Sequence, residues 1–553
     1  MPARMNKMYV LRLLLWIYSA IPVVSSKFSC LEMKQFCSCS VETEWWLHEW
    51  TDLKIVNCSY RSLSEVPNLT KLRDRDFHKL LLNNNNITEI SDEDFKNLSV
   101  REVVLRKNPI KRISNDAFSS IRHSVEILNL DSDKIKLDEG LTFLRGLYNL
   151  KQLDLGYNQL KDRYKVFPAN LFANLNLSSL NTLTLQSLLM SDIIEGAFIG
   201  IENLEQLDLS SNYLFKFPTE VLRLRNLKGL KLYSNELITL KNNTFTGLKH
   251  LSKLLIGVNE ITAETMEMGI FHDQEESMIE INLYQNPLYR VPKKVLKPLK
   301  NLKKLSLVKT NLEVIPNGTF VGEYRLKELH LDDNKKLKFE DDGMFHGIEE
   351  SLEVLFIRSL NLSKLPLNVL ERLKNLYHLD ATDNVIRKVD KHFFDGLKLS
   401  EVNLMWNNIT NVDHRAFRHF DKGVILNLHH NSIKNISFIL QVEQCTFKEI
   451  YLTGNKIPCD CTVEKVLHSG LVSWQTVGEC HLVKTDGTDG RVVYNFKDEE
   501  LHSYLVRTCG RTKPSANCNP TQSSRTNNSW SLKTSMIFSY SLAVLSIIFM
   551  LFV

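Results

Sequence analysis

Between Cys58 and Cys445 the chain has no cysteine, although ten are present in its 553 residues. That gap excludes a disulfide scaffold for the middle, which must be held by a hydrophobic core. Four cysteines crowd one end (Cys30, Cys37, Cys39, Cys58) and six the other (Cys445, Cys459, Cys461, Cys480, Cys509, Cys518). No long basic run occurs either. A net charge of +5, from 69 basic and 64 acidic residues, is close to balance, so nucleic acid is not an expected partner. The fingerprints GxSxG, HExxH, the P-loop and the dinucleotide-binding turn are all missing. His48-Glu49 has no second histidine four residues after the first, and TDGTDG (Thr485 to Gly490) lacks the ligand spacing and final glutamate of a calcium loop. No catalytic residue, metal or cofactor is expected; the protein is expected not to be an enzyme.

What is present begins with the termini. Arg4, Lys7 and Arg12 precede the apolar run Leu13 to Val24, and Val24 and Ser26 suit cleavage before Lys27. These are the marks of a secretory signal peptide. At the other end MIFSYSLAVLSIIFMLFV (Met536 to Val553) follows the polar stretch NPTQSSRTNNSWSLKTS. A small residue, a polar spacer and an apolar tail form a glycosylphosphatidylinositol attachment signal, with Ser524 and Asn527 as candidate sites and Ser523 close behind. The alternative is a single terminal span; at ~1.5 Å per residue it would be about 27 Å long. Either way the chain is expected at the extracellular face of the plasma membrane, with a shed or secreted form as a variant. Eleven Asn-X-Ser/Thr sequons agree with export: Asn57, Asn68, Asn86, Asn97, Asn176, Asn242, Asn317, Asn361, Asn408, Asn435 and Asn527.

The centre is periodic. NLKQLDLGYNQL (Asn149 to Leu160) sets the unit LxxLxLxxNxL, which returns as NLEQLDLSSNYL, NLKGLKLYSNEL, KLSEVNLMWNNI and FKEIYLTGNKI. The asparagine position falls at 85, 108, 133, 158, 188, 212, 235, 259, 286, 310, 334, 360, 384, 407, 431 and 455, mostly 23 to 25 residues apart. A phase held over sixteen copies signals leucine-rich repeats. The xLxLx portion alternates inward and outward, predicting one short strand per repeat and a stacked parallel sheet over a leucine core. The asparagine is expected to satisfy backbone groups where the chain leaves the sheet. Phe95, Phe118, Phe198, Phe245, Phe320, Phe394 and Phe417 follow their asparagine positions by ten residues and Phe345 by eleven, predicting a phenylalanine stack on the convex side. Asp133, Leu188, Thr310 and Leu360 replace the asparagine, and locally looser turns are expected there, with water or neighbouring groups as replacements. Two long intervals point to surface loops around Lys161 to Ala173 and His272 to Ser277, as binding features or tolerated excursions.

The expected fold is thus an α/β solenoid. It is a curved leucine-rich-repeat horseshoe with a parallel β-sheet on the concave face, an irregular or short-helical convex side and disulfide caps at both ends. The segments are 1–26 signal peptide, 27–75 N-terminal cysteine cap, 76–457 about sixteen repeats, 458–515 C-terminal cysteine cap, 516–535 polar stalk with the anchor site, and 536–553 apolar tail.

Cys30, Cys37, Cys39 and Cys58, then NKIPCDC with Cys480 and Cys509 around Trp474, resemble the caps of extracellular leucine-rich-repeat proteins. The layout is similar to lipid-anchored members of connectin type and Nogo-receptor type, and to the Toll and lamprey lymphocyte-receptor ectodomains. The resemblance implies the pairs Cys30–Cys39, Cys37–Cys58, Cys459–Cys480 and Cys461–Cys509. Cys445 and Cys518 fall outside its pattern and are left open.

Outward strand positions line the concave face, an arc about 70 Å long at ~4.8 Å per strand. Candidate partner-binding residues there are Tyr157, Tyr233, Tyr284, His330, Asp332, Phe356, His378 and Trp406. Tyr451 and the carboxylates Asp154, Asp208, Asp333, Asp380 and Asp383 lie among them. Aromatics beside charges are what protein interfaces favour. No sequon occupies an outward position of the sixteen repeats, which leaves that surface clear of glycan. The expected function is a cell-surface protein that binds a protein ligand or surface receptor, a second copy included, in adhesion or as a co-receptor without an intracellular domain. An innate-immune ligand receptor and a secreted matrix organiser are the alternatives.

Overall fold

The computed structural model describes residues 28, 30–46, 49–131, 134–160, 165–322, 325–472, 475–483 and 491–511. The signal segment, Asp133, Trp474, TDGTDG, Cys518, Ser523, Ser524, Asn527 and the apolar tail lie outside them. Two compact units divide the chain, Met1–Ser351 and Leu352–Val553.

The first unit opens on an antiparallel hairpin, Ser38–Trp46 with Glu49–Asn57. Its second strand pairs in parallel with Asp76–Leu81, which begins a stack of one strand per coil. Ser99–Val104, Ile127–Asn129, Gln152–Asp154, Thr182–Thr184, Gln206–Asp208 and Gly229–Lys231 follow in order. Lys253–Leu255, Glu280–Asn282, Lys304–Ser306 and Glu328–His330 complete it. Most strands are three residues long, because the central leucine must point inward while the chain has to turn three residues later. Leu153, Leu183, Leu207, Leu230 and Leu254 are all at most 1% exposed. Each contributes roughly 1.5–3 kcal/mol by leaving water.

An asparagine ladder makes the turn. Asn259 Nδ2 donates to Ile256 O in its own coil (3.1 Å) and to Leu232 O in the coil before (3.0 Å), while its Oδ1 accepts from Leu237 N (3.0 Å). Asn235 and Asn286 repeat the pattern. Each strand-end carbonyl inside an unbroken run therefore receives two amide donors, one from either coil. The residue just before the asparagine is left-handed throughout: Tyr157 (φ 60°), Ser211 (56°), Ser234 (55°), Val258 (53°) and Gln285 (52°). For a β-branched residue such as Val258 this conformation is unfavourable by the order of 1 kcal/mol or more, and the ladder holds it in place.

The coils without asparagine are not looser. Ser187, Lys309 and Ser359, which precede Leu188, Thr310 and Leu360, have φ of 56°, 55° and 52°, as in the asparagine coils, and each of the three coils adds a second left-handed residue, Leu189 (60°), Asn311 (58°) and Asn361 (61°). Their neighbours do the work. Leu185 O still receives Asn212 Nδ2 (3.0 Å), and Asn212 Oδ1 takes the N–H groups of both Leu188 and Met190 (3.0 Å each). Thr310 donates its hydroxyl to Leu307 O (2.7 Å), replacing the missing amide. Because every carbonyl starts with two donors, one gap removes only half.

Behind the sheet, Phe95, Phe118, Phe198, Phe245, Phe320 and Phe345 are buried, with Phe95 and Phe118 stacked at 5.3 Å. The two long intervals are anchored in this core. Val166–Phe167 pairs in parallel with Asp192–Ile193, and Phe167 and Phe172 are fully buried. Gln274, also fully buried, donates through Nε2 to Phe245 O (2.9 Å) and Leu248 O (3.0 Å). The described parts of the two expected surface loops thus remain largely at the surface, with His272 and Glu276 exposed, but each is tied inward by a few buried residues: Phe167 and Phe172 in one, Gln274 in the other.

The second unit stacks Val354–Phe356, His378–Asp380, Glu401–Asn403, Val424–Asn427, Phe447–Tyr451 and Gln475–Val477 in parallel. Phe394 and Phe417 are buried behind it, 5.7 Å apart. It closes with helix Cys461–His468, whose Asp460 caps Thr462 N and Val463 N, a hairpin of Glu479–Val483 with Arg491–Asn495, and helix Glu499–Cys509.

The disulfides are Cys30–Cys39, Cys37–Cys58, Cys459–Cys480 and Cys461–Cys509. Cys445 is also disulfide-bonded. Among the described residues, no helix is long and apolar enough to cross a membrane.

Candidate binding surface

In the first unit, the outward side chains form ion pairs from strand to strand. Lys231 reaches Asp208 (3.0 Å), Lys253 reaches Glu280 (2.9 Å) and Lys304 reaches Glu328 (2.8 Å). Tyr233 and Tyr284 lie two coils apart, yet their rings stack at 5.8 Å and 8°. Gly257, at the equivalent position of the coil between them, makes this possible: a Cβ there would stand 2.7 Å from Tyr233 Cε2. Burial pushes both phenols above their usual range; Tyr284 adds to the effect on Tyr233, and Asp333 to that on Tyr284.

His330 sits between two carboxylates of its own chain segment, with Nε2 2.6 Å from Glu328 Oε1 and Nδ1 3.8 Å from Asp332 Oδ2. Burial opposes its charge, but the bonds to Asp332 and Glu328 win and raise its pKa. Burial likewise works against the ionised Glu328, and His330 and Lys304 overcome it, holding the carboxyl at about 2. Asp154 is the opposite case. Burial drives its carboxyl up to about 6, with Asp131 and Asp208 adding to the rise against the Gly156 N–H and Arg106.

In the second unit the same positions are mostly covered. Phe356 is 8% exposed, His378 7% and Asp380 2%. The Arg358 guanidinium lies 4.5 Å over the Phe356 ring and reaches Asp380 Oδ2 at 2.8 Å, where Asn403 Nδ2 also donates (3.0 Å). His378 Nδ1 is 2.9 Å from Glu401 Oε2, but at an angle unsuited to a hydrogen bond, and neither ring nitrogen makes one. Further along, Trp406 is 54% exposed and stacks on His430 at 4.0 Å and 10°. The His430 ring in turn covers Gly454, where any Cβ would overlap it. His429 packs on Tyr451 (5.4 Å), whose hydroxyl donates to Glu449.

The eight candidate residues therefore separate. Tyr233, Tyr284 and His330 are half-buried on the sheet face. Asp332, Phe356 and His378 stand on that face but are nearly covered: Arg358 folds over Phe356, His378 packs against the Phe356 ring (5.4 Å) and Asp332 lies beside His330. Tyr157 and Trp406 fall out of the inward–outward alternation: each is the left-handed residue before an asparagine, and each is more than half exposed (51% and 54%). Sequence alternation missed this turn, and with it His430. It also missed Gly257 and Gly454, which could have been found by noticing glycine next to aromatics in the repeat frame. One sequon stands on the sheet face after all. Asn57 is in register with Leu81, an outward residue, because the hairpin strand extends the sheet beyond the first repeat.

The model for the BspA type leucine rich repeat region matches residues 57–178 and 148–276, and that for the leucine rich repeat matches 276–335. The chain belongs to the leucine-rich-repeat family. Among curated relatives, CD180 antigen of Mus musculus is 25% identical over 435 residues, 69% of this chain and 65% of that protein. Lumican of Gallus gallus is 28% identical over 213 residues, 35% of this chain and 60% of its own. The chain thus spans slightly under two thirds of these relatives. The mouse RP105/MD-1 complex is similar in fold, with a TM-score of 0.52 at 18% identity over 74% of this chain and 76% of that one. Disulfides near both ends of a leucine-rich-repeat chain fit an extracellular or cell-surface location.

Proposed function

We propose that this leucine-rich-repeat protein recognises a protein partner through its sheet face and the turns that border it, acting at the cell surface in adhesion or as a co-receptor. The observation that carries the reading is a pre-stacked aromatic pair in each unit: Tyr233 on Tyr284 across Gly257 in the first, and exposed Trp406 on His430, whose ring rests over Gly454, in the second. Rings held by stacking lose little side-chain entropy on docking, so their burial goes largely into affinity. The flanking Lys–Glu and Lys–Asp pairs give orientation more than strength. The lipid anchor at Ser524 or Asn527, and glycans at the sequons, belong to the same reading.

The test is a screen of the displayed protein against cell-surface proteins, repeated with Trp406→Ala and Tyr233→Ala. Loss of the best hit in either variant, with secretion unchanged, supports the face; binding indifferent to both refutes it. Cells displaying the protein should aggregate with one another if the partner is a second copy. Phospholipase C specific for inositol anchors should release it from the surface.

A further inference from the structure

The first strands of the sheet face differ from the rest: they carry an apolar patch. Leu81 and Ile127 pack, half-buried, against Leu53 (0% exposed) and Ile55 (4%) on the outer side of the sheet. Val104, also half-buried, stands in register between Leu81 and Asn129. Beside this patch stands Asn57, in register with Leu81 and on the same side. It begins the sequon Asn57-Cys58-Ser59. Its Oδ1 is held by Ser59 N (3.0 Å), whereas its Nδ2 makes no hydrogen bond among the described residues. The free nitrogen is the atom that glycan transfer requires. The other nine described sequons all fall outside the sheet strands.

We infer that Asn57 carries an N-linked glycan whose first sugars lie over Leu81 and Val104 and close this end of the sheet face. In the transfer, Asn57 Nδ2 attacks the anomeric carbon of a lipid-diphosphate-linked oligosaccharide. The N–C bond forms, the C–O bond to the diphosphate breaks, and the amide proton leaves with the lipid diphosphate. Leu81 and Val104 lie one and two strands away, within about 10 Å, the reach of the first sugars. Sugar rings have an apolar face that can lie against such half-buried side chains. Partner contact on the first unit is thereby confined to coils beyond Ile127. The inference rests on the exported, surface-recognition reading.

The full chain is expressed in a secretory cell line and its sequons are analysed by peptide mass spectrometry after enzymatic deglycosylation. Hydroxyl-radical footprinting is then compared between the wild type and two variants, Asn57→Gln and Ser59→Ala, the second of which leaves Asn57 itself in place. Asn57 should be occupied, and in both variants oxidation of Leu81 and Val104 should rise roughly twofold while Tyr233 stays unchanged. Occupancy at Asn408 with none at Asn57 overturns the inference alone. Absence of glycan at every sequon overturns the exported reading with it. Unchanged footprints in both variants overturn the shielding.

Discussion

Two stretches of the first unit solve the same packing problem differently. The coils closing at Asn235, Asn259 and Asn286 form an unbroken ladder, in which each shared strand-end carbonyl has two amide donors. The coils closing at Asn158, Leu188 and Asn212 contain a gap; Leu155 O is left with Asn158 (3.0 Å) and Leu185 O with Asn212 (3.0 Å). Both stretches keep the left-handed residue before the closing position, but the gapped coil adds a second one directly after it, Leu189 (φ 60°), so the backbone marks the gap. The difference is in reserve: the unbroken run can lose a donor, and the gapped run cannot. That explains how a repeat array tolerates single departures, and why neighbouring departures are forbidden: a buried carbonyl with no donor costs about 1–3 kcal/mol.

The largest test of this comparison is to remove one asparagine from each stretch. Asn212→Leu orphans Leu185 O and the N–H groups of Leu188 and Met190, and should cost about 3 kcal/mol or more. Asn259→Leu orphans only Leu237 N and should cost about 1–2 kcal/mol. Denaturant melts of both variants measure the gap; equal losses would dismiss the two-donor explanation.

Next comes the aromatic stack of the unbroken stretch. Gly257→Ala sets a methyl group against the Tyr233 ring and close to Tyr284 O (2.9 Å), for an expected loss of about 1–3 kcal/mol. A double-mutant cycle with Tyr233→Ala should return part of that loss, since only the carbonyl contact remains. Full additivity would mean that the ring is not what the glycine accommodates.

A smaller effect depends on pH and has opposite signs in the gapped stretch and in the coil that closes at Asn334. Asp154, in the coil before the gap, has a folded pKa of about 6 against an ordinary value of 3.8. Between those values the folded state binds the extra proton, so this group's contribution to stability rises as pH falls from 6 towards 4. Asp154→Asn should remove that rise and stabilise the protein at pH 7 by about 1–2 kcal/mol. Glu328, held at about 2, has the opposite sign: its contribution is present above 4.5 and is lost as pH falls from 4.5 towards 2, and Glu328→Gln should flatten only that window. The smallest expected change is in the second unit. Trp406→Ala removes an exposed ring, so the melting curve should move by about 0.5 kcal/mol or less, while partner binding is lost.

The repeat frame was legible because leucine at fixed spacing has one physical use, and the phenylalanine column followed from the same count. The site was legible only in part. Alternation correctly placed Tyr233, Tyr284 and His330 outward, but it carries no sign that the strand ends after three residues. Trp406 and Tyr157 were therefore assigned to a face when they occupy the left-handed turn. Nor can alternation show that Arg358 folds over Phe356, or that Asn57 joins the sheet, since both depend on which coil lies alongside.

By itself, then, the sequence determined the coil, its period, its inward leucines and the asparagine that turns it, all of which are local or nearest-neighbour patterns. Tertiary structure alone decided which outward side chains are covered, which rings stack across a glycine, and where one sequon meets an apolar patch. Those outcomes depend on residues some two dozen or more positions apart; even Arg358, two residues from Phe356, is drawn over that ring by its ion pair with Asp380 in the next coil. Only the stacking of one coil on the next brings them together.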